Sequence, residues 1–224
     1  MKDNKLIIVG DSAFAEVAHE YFYADSDYEV VAFSVERAFI KRDKIQGLPL
    51  VPFEDLERHF NPALHHIFVA CTYTRLNRLR ARLATASKEK GYTLASYLSS
   101  RAFLWRNVEI GEHCFIFENN TVQPFVKLEN NVVLWSGNHI GHHSVIRNNC
   151  FISSHAVISG FCDIGENSFI GVNATITNNC IIAKDNWIGP NVVIMKNTNE
   201  GDLFKPEHSK PAKISAQRFF KIKE

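Results

Sequence analysis

Aliphatic residues recur at every sixth position through the C-terminal half of the chain. The series runs Ile110, Ile116, Val122, Leu128, Leu134, Ile140, Ile146, Ile152, Ile158, Ile164, Ile170, Ile176, Ile182, Ile188 and Ile194. If about a quarter of positions carried such residues by chance, a series of this length in one register would have a probability on the order of one in a billion. A period of six fits neither an α-helix nor an alternating strand.

This period predicts a hexapeptide repeat, with one short strand and one corner in each hexad. Three hexads complete a triangular coil of eighteen residues, so the fifteen hexads make five coils. Adjacent coils are expected to stack at the parallel-strand spacing of about 4.8 Å. Leu98 and Leu104 extend the register backwards. We therefore expect the coil to span residues 98–200, followed by a loop and tail over residues 201–224.

Two residues before each aliphatic position the side chain is mostly small. These positions hold Val108, Cys114, Val126, Val132, Ser144, Cys150, Ala156, Cys162, Ser168, Ala174, Cys180 and Val192, with Asn120, Asn138 and Asn186 as exceptions. Four of the five cysteines fall here and the chain has no CxxC pair, which indicates small buried thiols rather than disulfides or a zinc site. Glycine often follows the aliphatic residue, as at Gly141 and Gly165, where a tight corner is expected to need a permissive backbone.

Residues 1–97 alternate strand-like and helix-like segments. Strands are predicted at residues 5–9, 28–34, 47–51 and 66–72, and helices from Ser12 to about residue 22, at 53–60 and at 76–90. This order predicts a small parallel, Rossmann-like α/β domain, and the basic face of the last helix is expected to be solvated. The first turn, VGDSAFAE, keeps one glycine of the GxGxxG pattern and so gives little support for NAD. Such a turn can still bind a phosphate or a nucleotide's sugar at the N-terminus of its helix.

Charge and hydropathy exclude several classes of protein. The formal net charge is +1, and no basic cluster is interleaved with aromatic residues, so a nucleic-acid surface is not expected. The start of the chain, MKDNKLIIVG, holds a five-residue apolar run that is too short for a signal peptide or a membrane span. We therefore expect a soluble, cytoplasmic protein without a membrane partner.

Three of the ten histidines, His139, His142 and His143, lie close together within residues 135–144 of the coil. His139 and His142 both face outwards in the hexad frame, and His142 falls at a corner. One coil onward from His142 is Gly160, which is expected to offer an unobstructed backbone N–H beside the imidazole. A base next to an oxyanion donor is the pair that acyl transfer requires. His139, His143 and His155 are candidates for substrate contact, whereas His113 is expected to lie on the surface.

This pair predicts a mechanism. A neutral imidazole at His142 removes a proton from an amine or a hydroxyl, which attacks a thioester carbonyl while the N–H of Gly160 stabilises the tetrahedral oxyanion. The imidazolium then protonates the departing thiolate. The alternative is a set of surface histidines on a structural coil.

The α/β domain followed by a hexapeptide coil resembles the sugar acyltransferases that modify nucleotide-linked amino sugars for surface glycans, and also the sialic acid O-acetyltransferases. The segment from His139 to Gly160 further resembles the lipid A pathway acyltransferase that acts on UDP-N-acetylglucosamine. His142 falls on that family's general base, Gly160 on its oxyanion glycine, and His139 on a histidine present there. The left-handed sense of the parallel β-helix is likewise an implication of the resemblance.

The resemblance also implies partners. We expect a homotrimer with acetyl-CoA in the groove between neighbouring coils, contacted at Gly160, and a nucleotide-linked sugar held by the N-terminal domain around Gly10, Asp11 and Ser12. Pro211-Ala212-Lys213 resembles the family's tail motif near the coenzyme, although a basic tail is equally compatible with a solvated surface. In this family the loop after the coil, here residues 197–210, often closes over the site. No metal is expected.

The chain departs from the family at several positions. The residue after the base is usually acidic and is His143 here, and Phe151 stands where several relatives carry a histidine. N-acetylation and O-acetylation stay open. Some hexapeptide coils resemble γ-class carbonic anhydrases, which space two zinc-binding histidines five residues apart, but the residue five after His142 is Arg147. A non-catalytic trimeric scaffold is the remaining alternative.

Overall fold

The computed structural model describes residues 2–222 and shows an α/β domain followed by a β-helix. The elements of the first domain are β1 (Asn4–Val9), α1 (Ala13–Ala24), β2 (Tyr28–Val35), β3 (Lys44–Ile45), β4 (Leu48–Pro52), α2 (Leu56–His59), β5 (His65–Val69), α3 (Arg78–Glu89) and β6 (Thr93–Leu94), with short 3₁₀ turns at Arg37–Phe39 and Phe53–Asp55. The sheet order is β3-β4-β2-β1-β5-β6. The predicted all-parallel sheet is wrong at one edge, because β3 forms an antiparallel hairpin with β4.

Eighteen two-residue strands follow in the second domain. They are β7 (Tyr97–Leu98), β8 (Phe103–Leu104), β9 (Glu109–Ile110), β10 (Phe115–Ile116), β11 (Thr121–Val122), β12 (Lys127–Leu128), β13 (Val133–Leu134), β14 (His139–Ile140), β15 (Val145–Ile146), β16 (Phe151–Ile152), β17 (Val157–Ile158), β18 (Asp163–Ile164), β19 (Phe169–Ile170), β20 (Thr175–Ile176), β21 (Ile181–Ile182), β22 (Trp187–Ile188), β23 (Val193–Ile194) and β24 (Leu203–Phe204). A short helix, α4 (Ala216–Phe219), lies in the tail.

These strands form three parallel sheets, which are the three sides of the left-handed β-helix. The first sheet contains β7, β10, β13, β16, β19, β22 and β24; the second contains β8, β11, β14, β17, β20 and β23; the third contains β9, β12, β15, β18 and β21. Strands pair with an offset of eighteen residues, as in Phe115 with Val133 and Ile116 with Leu134. The predicted hexapeptide coil is confirmed. The coil extends past its predicted end at residue 200, because β24 pairs with β22 and so continues the first sheet.

The interior of the coil is built from the two predicted sets of inward positions, the aliphatic series and the small residues two positions before it. All of the series from Ile116 to Ile194 lies in one buried cluster, together with four cysteines. Asn120, Asn138 and Asn186, which take the place of small residues in this pattern, are buried as well. Asn120 accepts a hydrogen bond from the amide of Asn138 and donates to the carbonyl of Phe117, so its amide group is satisfied inside the coil.

The corners of the coil differ from the prediction. The glycines that follow the aliphatic residues do not have a positive φ; Gly141 is needed because a Cβ there would lie 2.5 Å from the amide nitrogen of Gly160 in the next coil. The left-handed residues come two positions later, at His113, Asn119, Phe125, Asn131, Gly137, His143, Asn149, His155, Phe161, Asn167, Asn173, Asn179, Asp185 and Asn191. Asparagine tolerates this conformation better than most residues, which explains its frequency at the corners.

The two domains share a core. Aromatic residues on the outer side of the first sheet pack against α1, with ring centroids of Phe14 and Phe115 5.6 Å apart and those of Phe14 and Trp135 5.2 Å apart. The other side of the α/β sheet is covered by α2 and α3. The first side of the coil is therefore occupied by its own N-terminal domain. Among residues 2–222, no helix has the length and apolar character needed to cross a membrane.

Arg80 joins the domains from α3 and is fully buried, so the prediction of a solvated basic face is wrong at this residue. Its guanidinium donates to the carbonyls of Asn149 (2.8 Å), Thr72 (3.1 Å) and Asn131 (3.2 Å) and to the side-chain oxygens of Asn131 (3.0 Å) and Asn77 (3.1 Å). Burial lowers the pKa of Arg80 to about 10, which leaves it charged at neutral pH.

His113 is also buried, contrary to its predicted surface position. Its Nε2 accepts a hydrogen bond from the amide of Val69 at 2.8 Å, and its Nδ1 is 2.7 Å from the side-chain oxygen of Asn131. Since Nε2 must be an acceptor, Nδ1 carries the proton in this arrangement. Burial lowers the pKa of His113 to about 3, so it serves as a neutral structural link between β5 and the coil.

Candidate active site

The outer surfaces of the second and third sheets differ in chemistry. Phe103, Val157 and Val193 point outwards from the second sheet and are 40–58% exposed. The outward positions of the third sheet hold three charged residues and two apolar ones: Glu109, Lys127, Val145, Asp163 and Ile181. His142 and His143 lie at the corner between these two sheets, after β14 and before β15.

His142 is held over the next coil. Its backbone amide donates to the side-chain oxygen of Gln123 at 2.9 Å, and its ring is edge-on to that of Phe161 at 5.0 Å. A Cβ on Gly160 would lie 2.8 Å from Cε1 and 2.9 Å from Nε2 of His142. The structure thus brings His142 and Gly160 together, and only glycine leaves room for the imidazole in this position.

The amide of Gly160 is not unobstructed, contrary to the prediction. It donates a hydrogen bond to the side-chain oxygen of Asn178 at 2.9 Å. Asn178 lies one further coil along the same corner and is exposed. For this N–H to bind another acceptor, the side chain of Asn178 must first turn away.

A stack of three rings runs along the same corner. His143 has φ 60° and lies between Phe125 and Phe161, with centroid distances of 4.6 and 4.8 Å and interplanar angles of 27° and 16°. Its Nδ1 is 3.1 Å from Nδ1 of His142. Phe125 and Phe161 were not among the predicted site residues, although both lie eighteen residues from His143 and so could have been found from the period.

The other predicted histidines lie elsewhere on the second sheet. His139 points outwards from β14 and is partly exposed. His155 occupies the opposite edge of the sheet, at the corner shared with the first sheet, where its ring packs over Gly137. Within one chain the structure therefore does not bring His155 to His142. Lys213 lies on an exposed part of the tail.

A separate cleft of about 490 Å³ opens at the carboxyl ends of β1, β2 and β5. Gly10, Asp11 and Ser12 line one side of it, and Gly10 has φ 142° with its Cα so close to the carbonyl of Ala70 that a Cβ would clash at 2.8 Å. Carboxyl ends of strands are where open parallel sheets bind ligands. Ser12 precedes the first residue of α1, so the cleft also faces a helix N-terminus.

Charged residues that the sequence did not single out line the same cleft. These are Glu36, Lys41, Arg75 and Arg82. Arg82 donates to both carboxylate oxygens of Glu36, at 3.0 and 2.9 Å, and this hydrogen bonding raises the pKa of Arg82. The signal available in the sequence was the position of Glu36 directly after β2. The neighbouring Cys71 thiol is mostly buried, which raises its pKa to about 11.

A zinc site of the γ-class carbonic anhydrase type would place a second histidine five residues after His142. That position is Arg147, whose Nε donates a hydrogen bond to Asp163 at 2.7 Å. Within residues 2–222, no three or more histidine, cysteine, aspartate or glutamate side chains are grouped so that they could hold a metal ion.

Comparison with known proteins supports the two-part architecture. Residues 143–178 match the family described as bacterial transferase hexapeptide (six repeats). No curated protein sequence matches the chain.

Several solved structures match nearly the whole chain. The acetyltransferase domain of PglB from Neisseria gonorrhoeae is 24% identical with a TM-score of 0.81, over 89% of this chain and 95% of that one. PerB from Caulobacter crescentus, in complex with CoA and GDP-perosamine, is 21% identical with a TM-score of 0.81, over 89% and 93%. WeeI from Acinetobacter baumannii is 19% identical with a TM-score of 0.60, over 88% and 94%. The chain therefore carries the bacterial transferase hexapeptide repeat within the two-domain fold of these structures.

Proposed function

We propose that this protein transfers the acetyl group of acetyl-CoA to the amino group of a nucleotide-linked sugar, with His142 as general base. The observation that carries the proposal is the imidazole of His142 lying over Gly160 at an exposed corner of the coil. Structures of the same fold have been determined with acetyl-CoA, and with CoA together with GDP-perosamine. A base at a corner beside a backbone amide is suited to acyl transfer.

The reaction uses His142 twice. Its neutral imidazole removes a proton from the sugar's amine as the nitrogen attacks the thioester carbonyl. The tetrahedral intermediate then collapses, the carbon–sulfur bond breaks, and the imidazolium gives the proton to the departing thiolate. The products are the N-acetylated sugar nucleotide and CoA, and the protein returns to its starting protonation state.

Gly160 supplies the oxyanion donor in this proposal. Its N–H exchanges the side-chain oxygen of Asn178 for the thioester oxygen when acetyl-CoA binds. A backbone donor aimed at the developing charge stabilises the transition state more than the ground state. Asn178 then acts as the partner that satisfies the amide between turnovers.

The nucleotide is proposed to occupy the cleft of the α/β domain. The N-terminus of α1, with Gly10, Asp11 and Ser12, favours an anion. Lys41 and Arg75 provide positive charge for a diphosphate, and Glu36 stands after β2, where an acidic residue can accept hydrogen bonds from ribose hydroxyls.

We further propose a homotrimer that assembles through the second sheet. The N-terminal domain covers the first sheet, and the third carries Glu109, Lys127 and Asp163 at outward strand positions. The second sheet has no Asp, Glu, Lys or Arg at these positions and exposes Phe103, Val157 and Val193, with Thr121, His139 and Thr175 between them. His139 lies on this surface and His155 at its far edge, so we propose that they serve a site shared by neighbouring subunits, with acetyl-CoA in the groove and Lys213 near it.

Val157→Asp is expected to disrupt this assembly, because it places a charge on a face whose outward strand positions hold no Asp, Glu, Lys or Arg. Size-exclusion chromatography with light scattering should give three chains for the wild type and a smaller species for the variant. Ile181→Asp makes the same apolar-to-charged change at an exposed residue of the third sheet and should leave the trimer intact. A wild-type monomer, or equal disruption by both variants, contradicts the proposed interface.

The acceptor is tested with paired sugar nucleotides. Release of the CoA thiol from acetyl-CoA is measured with UDP-, dTDP- and GDP-linked amino sugars and with the analogues that carry a hydroxyl in place of the amine. We expect turnover with at least one amino compound and at least about a hundredfold less with its hydroxyl analogue, since an amine attacks a thioester more readily than an alcohol does. Thiol release with the hydroxyl compound alone would instead identify an O-acetyltransferase.

A further inference from the structure

The corner that holds His142 contains a second imidazole in direct contact with it. The two Nδ1 atoms are 3.1 Å apart, and the rings are nearly perpendicular, at 88°. An imidazole nitrogen either carries a proton or has a lone pair, so one of the two Nδ1 atoms must donate and the other accept. This contact therefore fixes the tautomers of both histidines together.

His143 has little freedom to turn away from this contact. Phe125 and Phe161 stack on its two faces, at 4.6 and 4.8 Å between centroids, and its backbone is in the left-handed region. Phe161 also meets the ring of His142 edge-on. The stack is exposed at its outer end but holds the ring plane of His143, and hence the direction of its Nδ1 lone pair.

We infer that His143 is the positioning residue for His142: it accepts a hydrogen bond from Nδ1–H of His142 and so leaves the lone pair of that ring on Nε2. The inference rests on the proposed function, and it gives the base the tautomer that the reaction needs. A Cβ on Gly160 would lie 2.8 Å from Cε1, 2.9 Å from Nε2 and 3.2 Å from Nδ1 of His142, so Gly160 lies beside the part of the ring that holds both nitrogens. With Nδ1 donating to His143, Nε2 is the nitrogen that is free to act as the base. When Nε2 takes the proton from the sugar's amine, the positive charge is shared with a neutral hydrogen-bond acceptor rather than with a carboxylate.

Two substitutions separate this role from simple packing. His143→Phe keeps an aromatic ring in the stack but removes the acceptor, whereas His143→Asn supplies an acceptor oxygen and suits a left-handed backbone. We expect His143→Phe to lower kcat by about 10- to 100-fold, a part of the contribution of the base itself, with the KM for acetyl-CoA within about twofold. His143→Asn should recover much of the lost kcat. Asn191 is also an exposed corner residue with a positive φ, but it lies between the first and second sheets. Asn191→Phe is therefore the control for placing phenylalanine on a left-handed backbone.

A measurement on the tautomer does not depend on activity. In long-range ¹H–¹⁵N spectra of the ¹⁵N-histidine-labelled protein without substrate, assigned with His142→Ala, we expect His142 to be protonated on Nδ1 in the wild type and in His143→Asn. In His143→Phe the proton should move towards Nε2, the preferred position in free imidazole side chains. An unchanged His142 tautomer in His143→Phe overturns the positioning role even in an active enzyme. The predicted shift in a protein that acetylates no amino sugar would instead retain the role and reject the proposed function.

Discussion

His142→Ala is expected to lower kcat for acetyl transfer by about 10²- to 10⁴-fold, the usual contribution of a general base. The KM values should change much less, because the imidazole is placed to accept a proton rather than to hold the coenzyme. The measurement is CoA thiol release at saturating acetyl-CoA and amino sugar. His59→Ala removes an exposed histidine of the α/β domain and should leave kcat unchanged.

Gly160→Ala is the companion to this variant, because it keeps the base and changes its position. The new Cβ would meet Cε1 and Nε2 of His142 at 2.8 and 2.9 Å, so the ring must move. Gly160 has no positive φ, and the contact is with the end of a side chain, so the melting temperature should change little. Turnover close to that of the wild type in either variant would remove the His142–Gly160 pair from the mechanism.

Arg80→Met is expected to lower the free energy of unfolding by about 4 kcal/mol or more, the largest stability effect that we predict. The guanidinium donates to buried oxygens of both domains, including the carbonyls of Asn149 and Thr72. Methionine fills part of the space but leaves these acceptors without a donor, and each unsatisfied buried group costs about 1–3 kcal/mol. Thermal unfolding should show a melting temperature lower by about 10 °C.

Arg78→Met is the matched control on the same helix. Arg78 forms an exposed ion pair with Asp185 at 2.6 Å, and such pairs contribute about 0–1 kcal/mol. Arg80→Lys keeps the charge but loses the planar fork, so it should fall between the wild type and Arg80→Met. If Arg80→Met melts at the same temperature as Arg78→Met, the buried hydrogen bonds are not what joins the domains.

The coil was predictable because its information is local and repeated. Each aliphatic residue occupies the same place in its hexad, so the series from Ile116 to Ile194 specifies both the inward side and the eighteen-residue offset. The offset alone places Gly160 next to His142. The same arithmetic carried one coil further reaches Asn178, which accepts the amide hydrogen bond of Gly160 and was overlooked.

The contacts between the domains were not predictable from local pattern. Arg80 and His113 look like surface residues in a helix and a corner, and they are buried because distant parts of the chain meet there. The partners of Arg80 lie up to seventy residues away in sequence. The cleft of the α/β domain was predicted in part. The sequence identified its first turn at Gly10, but it did not identify Arg82, which lines the cleft from a helix face that was expected to be solvated.

The central claim is that an amine meets a thioester at the corner formed by His142 and Gly160. The most direct measurement is a crystal structure of His142→Ala or the wild type with CoA and the sugar nucleotide that supports turnover. We predict the nucleotide in the cleft of the α/β domain, the CoA sulfur beside Gly160, and the sugar's amine within about 3.2 Å of Nε2 in the wild type. A ternary complex with the sulfur and the amine together at another place, and His142 in contact with neither, would contradict it.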